Sequence, residues 1–367
     1  MTIPRPRPGI LEIEPYVGGK AEVAGAVPAI KLSANESALG PSPRAVEAYR
    51  EAASSLHRYP DGGCTALRAA IGRRFNLDPA RIVCGAGSDE LIALLVRAYA
   101  GPGDEILMSR HGFLMYKLAA LAAGAHPVLA PERDLRADVE ALLARVTSRT
   151  RICFLANPNN PTGSYLSAEE LAALRSRLPE DVLLVVDAAY AEFVEAADYS
   201  DGLALARAHD NVIMTRTFSK LFGLAALRLG WMYAAPPIVE VMNRVRNPFN
   251  VSTPAQMAGV AALDDLDHQE RARRHNAQWR PWLAERLRLL GLEVYPSVAN
   301  FLLVRFPAEP GRDAAAAEAF LESRGIIPRR MDEYGLGDCL RFTVGLEQEN
   351  RKLVEALHAF TALGDGA

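Results

Sequence analysis

The chain has 367 residues, half of them hydrophobic, with 41 lysines and arginines against 44 aspartates and glutamates, a net charge of −3. That length suggests about two domains around a sizeable core, and the charge balance lacks the basic field of a nucleic-acid-binding protein. Four scattered cysteines without metal-ligand spacing, a proline-rich start unlike a signal helix, and no apolar run of about 18–20 residues point to a cytoplasmic protein off the membrane, with reduced thiols.

Residues 1–30 are rich in proline and glycine, carry little periodicity and read as an extended arm docked on the body. From 31 to 246 short apolar strands alternate with helices, which makes a large domain. Ile82-Val83-Cys84 leads through Gly85-Ala86-Gly87-Ser88 into a helix from Asp89 to Tyr99. Glu105 to Met108 is a strand, followed by a helix through Lys117 to Ala123. Ile152 to Ala156 is the next strand, and Ser167 with Glu170 forms a capping box for the helix behind it. Val182 to Val186 ends at Asp187, Val212 to Met214 runs toward Lys220, and Leu229 to Ala234 follows Arg228.

From 247 to 367 the expectation is a smaller α+β domain. The stretch from Pro254 to Gly291 is long, charged and helical; strands follow around Phe301 to Val304 and Leu340 to Val344, with helices near 313–323 and 347–361. Continuous apolar strands alternating with helices define an α/β chain with a mostly parallel central sheet between helices. In such sheets ligands bind at the carboxyl ends of the strands, and the chemically distinctive residues stand there.

Lys220, in Thr217-Phe218-Ser219-Lys220, can form a Schiff base with a phosphorylated aldehyde while Ser219 and Arg228 grip the phosphate. The plain alternative is a solvated lysine at a strand end, and the other groups that pyridoxal phosphate requires decide between the two. Asp187 suits a protonated pyridine nitrogen, or a helix cap. Tyr190 and Asn160 supply donors to a phenolate oxygen, and the Asn157 to Gly163 run also suits a turn. Gly85-Ala86-Gly87-Ser88-Asp89, passing from strand to helix, offers backbone N–H groups and a helix dipole to an anion. As a dinucleotide fingerprint it is imperfect, with Glu90 where a third glycine belongs. Phe113 can stack on the ring or fill a core. In chain order, the glycine turn, aromatic, Asn, Asp-x-x-Tyr, Ser-Lys and Arg together make a pyridoxal phosphate site.

On these motifs the chain resembles the fold-type-I pyridoxal-phosphate aminotransferases, and among them the histidinol-phosphate aminotransferases, over nearly its whole length. Further matching segments are Pro15-Tyr16-Val17-x-Gly19-Lys20, Lys31-Leu32-Ser33-Ala34-Asn35-Glu36, Arg58-Tyr59-Pro60-Asp61-Gly62 and Cys339-Leu340-Arg341-Phe342-Thr343-Val344-Gly345. The resemblance implies that Lys220 carries the cofactor, Asp187 pairs its ring nitrogen, and Tyr190 and Asn160 bond its ring oxygen. It further implies that Phe113 stacks on the ring and that Ser219, Arg228 and the Gly87-Ser88-Asp89 turn hold its phosphate. Tyr59 is expected to reach into the site of a neighbouring subunit, which makes the unit a homodimer. Arg341 is expected to grip the substrate's anionic end, with Arg329 or Arg330 assisting, Arg351 or Lys352 as a second basic residue, and Tyr16 and Asn35 as further substrate contacts.

The implied reaction exchanges an amino group between L-histidinol phosphate, a phosphorylated amine, and 2-oxoglutarate, a 2-oxo acid, in histidine biosynthesis. An aromatic amino-acid aminotransferase and a threonine-phosphate decarboxylase are the rival enzymes, and a cofactor-binding regulator or inactive scaffold is the rival outside that class. His111-Gly112 replaces the family's usual Pro-Thr, and Ala188 stands where Glu is frequent.

Overall fold

Seven strands form the central sheet in the computed structural model, which describes residues 6–7, 9–15, 18–20, 22 and 29–364. Their spatial order is Ile82–Gly85, Gly230–Tyr233, Val212–Thr217, Leu183–Asp187, Thr150–Ala156, Glu105–Ser109 and His126–Ala130. All neighbours pair parallel except at Gly230–Tyr233, which is antiparallel to both of its partners. That strand returns directly from the loop carrying Lys220 without a crossover helix, so the chain has to reverse direction.

Side chains alternate between two cores, one on each face of the sheet. Leu184 and Val186 enter one, Leu183 and Val185 the other, and all four are buried. Burial on both faces explains why these strands read as unbroken apolar runs. His126–Ala130 escapes a sequence reading because it is an edge strand, half exposed and carrying Pro127, which a central strand would not tolerate. The expected capping box forms, with Ser167 accepting from Glu170 N and Glu170 accepting from Ser167 N.

A second, antiparallel sheet runs Glu293–Val294, Phe301–Arg305, Cys339–Thr343 and Arg329–Arg330. It shares a core with parts of the helices Ala314–Ser323 and Glu347–Gly364. Ile30–Lys31 pairs in parallel with Ile326–Ile327, and the following Leu32 is buried in this same core. Lys31 and Leu32, which the sequence reading places at the start of the large domain, thus contact the smaller sheet's side of the molecule. The 24-residue helix Leu266–Leu289 links the cores: Ala272 packs into one, Leu283 and Leu287 into the other. Thr253–Asp264 packs against Pro43–Ala52 and Thr65–Phe75 in the core of the larger sheet. No helix among the described residues is long and apolar enough to cross a membrane.

Candidate active site

Sheet register builds the floor of the site. Asp187 ends its strand opposite Thr215 of the neighbouring strand, and Thr215 Oγ1 donates to Asp187 Oδ1 across 3.1 Å. Tyr116, on the helix Leu114–Ala123, donates from its hydroxyl to Asp187 Oδ2 across 2.8 Å. Its ring is fixed by a flat stack on Phe154, centroids 4.5 Å apart. Burial pushes the Asp187 carboxyl up to about 6, against the opposing pull of the two hydroxyls. A buried carboxylate held only by neutral donors is electrostatically ready for a cation.

Lys220 lies just past Val212–Thr217, in a turn that Thr217 Oγ1 ties by donating to Ser219 Oγ at 3.0 Å and accepting from Ser219 N at 3.1 Å. Gly223 closes this loop at φ +68°, where a Cβ would come within 2.3 Å of the Gly40 carbonyl oxygen. Lys220 Nζ donates to the Ala34 carbonyl at 3.3 Å and stands 5.5 Å from the Tyr190 ring centroid. Burial, helped by the Arg341 charge, lowers the Lys220 ammonium to about 8. Tyr190 is buried and pushed up to about 12 by desolvation, and its hydroxyl accepts from Asn35 Nδ2 at 3.0 Å.

The helix Ser88–Tyr99 starts from Gly87 with no side-chain cap, which leaves its first N–H groups for a ligand. Arg228 crosses this terminus, bonding Asp89 Oδ2 at 2.9 Å and Ser219 Oγ at 3.4 Å. A Cβ on Gly87, whose φ is +85°, would sit 2.5 Å from Arg228 Nη2. The helix N-terminus at Ser88 and Asp89, with Ser219 and Arg228, thus forms an anion cup entered through Gly87, whose positive φ favours glycine.

At the rim, Arg341 hydrogen-bonds Asn160 Oδ1 and the Ser33 carbonyl and lies over the Phe301 ring. Arg329 is in register with Arg341 on the adjacent strand and pairs with Glu333. Arg330 turns away to Asp332. Phe113 completes the wall, and these side chains open on one cavity of about 250 Å³, which Arg329 lines and Arg330 does not. Arg351 and Lys352 do not line it; Arg351 lies over Trp279 and Trp282. Tyr59 is 82% exposed and stacked on Phe249, away from this cavity. Tyr16 lies outside the described residues.

Sequence reasoning misses Tyr116, Thr215 and Tyr334, the last of which also lines the cavity. The first two carry no sequence signal of their own, and only the folded structure reveals what their hydroxyls meet. A larger open groove of about 1260 Å³ runs beside the hairpin Glu132–Ala137. Its charges are largely spent on one another, Arg136 on Glu170 and Arg133 on Asp138.

The residues present fit pyridoxal phosphate: a deep carboxylate for a ring nitrogen, an amine with lowered proton affinity, an aromatic wall, and a cup shaped for phosphate. The chain belongs to the class I and II aminotransferase family, whose model matches residues 27–357. Its fold is the fold-type-I α/β architecture of those enzymes. It is 60% identical over 360 residues to a histidinol-phosphate aminotransferase of Paramagnetospirillum magneticum, an alignment covering 98% of this chain and 99% of the relative. A second relative of that description, from Rhodospirillum centenum, is 60% identical over 97% of this chain and 98% of its own length. The crystal structure of histidinol-phosphate aminotransferase from Sinorhizobium meliloti in complex with pyridoxal-5'-phosphate superposes with a TM-score of 0.88 at 31% identity, covering 99% of each chain.

Proposed function

We propose that this chain uses pyridoxal phosphate to transfer the amino group of L-histidinol phosphate to 2-oxoglutarate, giving imidazole acetol phosphate and glutamate in histidine biosynthesis. The observation that carries this reading is one cavity holding a lysine of lowered proton affinity, a buried carboxylate, an anion cup and a rim arginine. The 60% identity to enzymes of that description supports the choice of substrate.

When bound, the cofactor supplies an electron sink that makes the proton on the amine-bearing carbon acidic. The protein's part is proton handling and placement. Once the substrate amine has displaced it from the cofactor, Lys220 Nζ would be the base for that proton, a task suited to an amine whose proton affinity burial lowers. Asp187 holds a proton on the ring nitrogen, with Tyr116 and Thr215 fixing its two oxygens. Tyr190 and Asn160 would bond the ring oxygen, Phe113 would stack on the ring, and Ser219, Arg228 and the Gly87-Ser88-Asp89 turn would hold the phosphate. Arg341, assisted by Arg329, grips the anionic end of each substrate in turn; Asn35 and Tyr16 complete the substrate assignment. In this reading the enzyme works in the cytoplasm as a homodimer, and the exposed Tyr59 enters the site of a second copy.

The test is a set of single half-reactions, following the cofactor's absorbance as it takes up the amino group. Histidinol phosphate should convert it fastest, phenylalanine more slowly, and phosphothreonine should release no carbon dioxide. A preference for phenylalanine, or decarboxylation of phosphothreonine, would refute the substrate assignment.

A further inference from the structure

Asn35 occupies an unusual position for a residue counted as a substrate contact. It is 1% exposed, and its φ of +53° is a left-handed conformation that asparagine tolerates better than most residues. Four contacts hold it there. Its backbone N–H donates to Thr343 Oγ1 at 2.9 Å, and Asn300 Nδ2 donates to its carbonyl at 3.2 Å. Its side-chain oxygen lies 3.4 Å from Thr343 Oγ1, whose own proton goes to the Leu32 carbonyl at 2.9 Å. Its amide nitrogen donates to the Tyr190 hydroxyl at 3.0 Å.

That last bond has a directional consequence. A phenol has one proton and can donate it once. With Asn35 filling an acceptor position, the Tyr190 proton is left to point elsewhere, and both Tyr190 and Lys220 line the cavity. Thr343 lies two residues after Arg341 on one strand, and Arg341 itself donates to the Ser33 carbonyl at 2.9 Å. Asn35 therefore joins the sheet that bears Arg341 to Tyr190, just beyond the Asp187 strand.

We propose that Asn35 is a positioning residue, rather than a substrate contact alone, which turns the Tyr190 proton into the cavity and toward the cofactor's ring oxygen. This rests on the cofactor role of the site proposed above. Asn35 touches no reacting atom in this role; it acts through Tyr190 and transmits the placement of the Arg341 strand.

The measurement is a spectral pH titration of the cofactor-loaded protein without substrate, so the readout is not turnover. A donor on the ring oxygen lowers the proton affinity of the neighbouring cofactor–lysine nitrogen; loss of that donor raises its titration midpoint. N35D should be the more damaging variant, because its carboxylate takes the Tyr190 proton for itself; N35A merely leaves the hydroxyl free to rotate. The expected upward shift for N35D is about one unit, the size of one hydrogen bond to a charged group. A new negative charge also raises the midpoint, so each variant is repeated with Tyr190→Phe, and the double-mutant cycle isolates the part that runs through the phenol.

Most of the N35D shift should vanish in the Tyr190→Phe background. An equal shift in both backgrounds, or N35D titrating with the parent, would overturn the assignment. Should N35D fail to fold, the cycle of N35A with Tyr190→Phe decides, and strict additivity would overturn the assignment. A protein that takes up no cofactor would sink the functional reading and this inference with it; a coloured protein without the coupling would sink this inference alone.

Discussion

Tyr116 and Asp187 form a single unit: the phenol donates to the carboxylate across 2.8 Å while its ring is pinned flat on Phe154. Tyr116→Phe keeps the stack and removes the donor. Because a hydrogen bond to the charged form lowers a carboxyl's proton affinity, its loss should carry Asp187 above its present value of about 6. Fewer molecules then present a carboxylate to the cofactor's ring nitrogen. Cofactor affinity should fall about 10–100-fold, from the roughly 1.5–3 kcal/mol of a charged hydrogen bond, with the deficit larger at pH 6 than at pH 8. Equilibrium titration with cofactor at both pH values checks this, and an affinity equal to the parent's at both would contradict it.

The Lys220 ammonium, lowered from 10.5 to about 8, fixes a second dependence. Only the neutral amine condenses with an aldehyde, so the rate of cofactor uptake by apoprotein should rise about tenfold per unit below pH 8 and level off above it. A lysine lowered on folding disfavours the folded apoprotein while it is protonated, and that penalty is relieved as pH rises from about 8 toward 10.5. Stopped-flow mixing across pH 6–10 measures the first effect. A rate still climbing steeply above pH 9 would mean that the amine is not desolvated.

Arg329 and Arg330 are adjacent in sequence but divided by the alternation of a strand. Arg329 lines the cavity, whereas Arg330 is engaged with Asp332 outside it. R329Q should raise KM for the phosphorylated substrate by about 10–100-fold, the worth of a charged hydrogen bond. R330Q should stay within about twofold, as expected of an exposed ion pair. Equal effects from the two variants would remove the distinction.

Gly87→Ala tests the anion cup. The added methyl would meet Arg228 Nη2 at 2.5 Å, on a backbone whose φ is +85°. Strain of about 1–3 kcal/mol and a displaced guanidinium should weaken cofactor binding at least tenfold, and inorganic phosphate should protect the apoprotein against thermal unfolding less than it protects the parent. Parental cofactor affinity would show that Arg228 is not part of the cup.

Much of the site was legible because its residues stand at strand ends, where a continuous apolar run stops at a polar residue. Asp187, Lys220 and the Gly85 to Asp89 turn announce themselves in this way, and Asp187, Lys220, Ser88 and Asp89 line one cavity. What stayed hidden depends on partners set by register. Thr215 lies just past the apolar run Val212-Ile213-Met214 and carries no signal until pairing places it opposite Asp187. The edge strand His126–Ala130 lacks the two-sided burial that makes its neighbours conspicuous. Pairing of Ile30–Lys31 with Ile326–Ile327 joins segments far apart in the chain, and no local pattern encodes such a contact.

That distant pairing bears on the order in which a newly made polypeptide becomes competent. Ser33 to Glu36 form the wall facing Lys220, yet Asn35 is anchored by Thr343, 308 positions downstream. Contacts between such remote segments are intrinsically slow to form. A nascent chain still tethered near residue 300 already contains the lysine, the carboxylate and the glycine turn, but not Thr343 or the Ile326–Ile327 strand on which that wall hangs. That side of the pocket can close only once those distant segments exist to hold it.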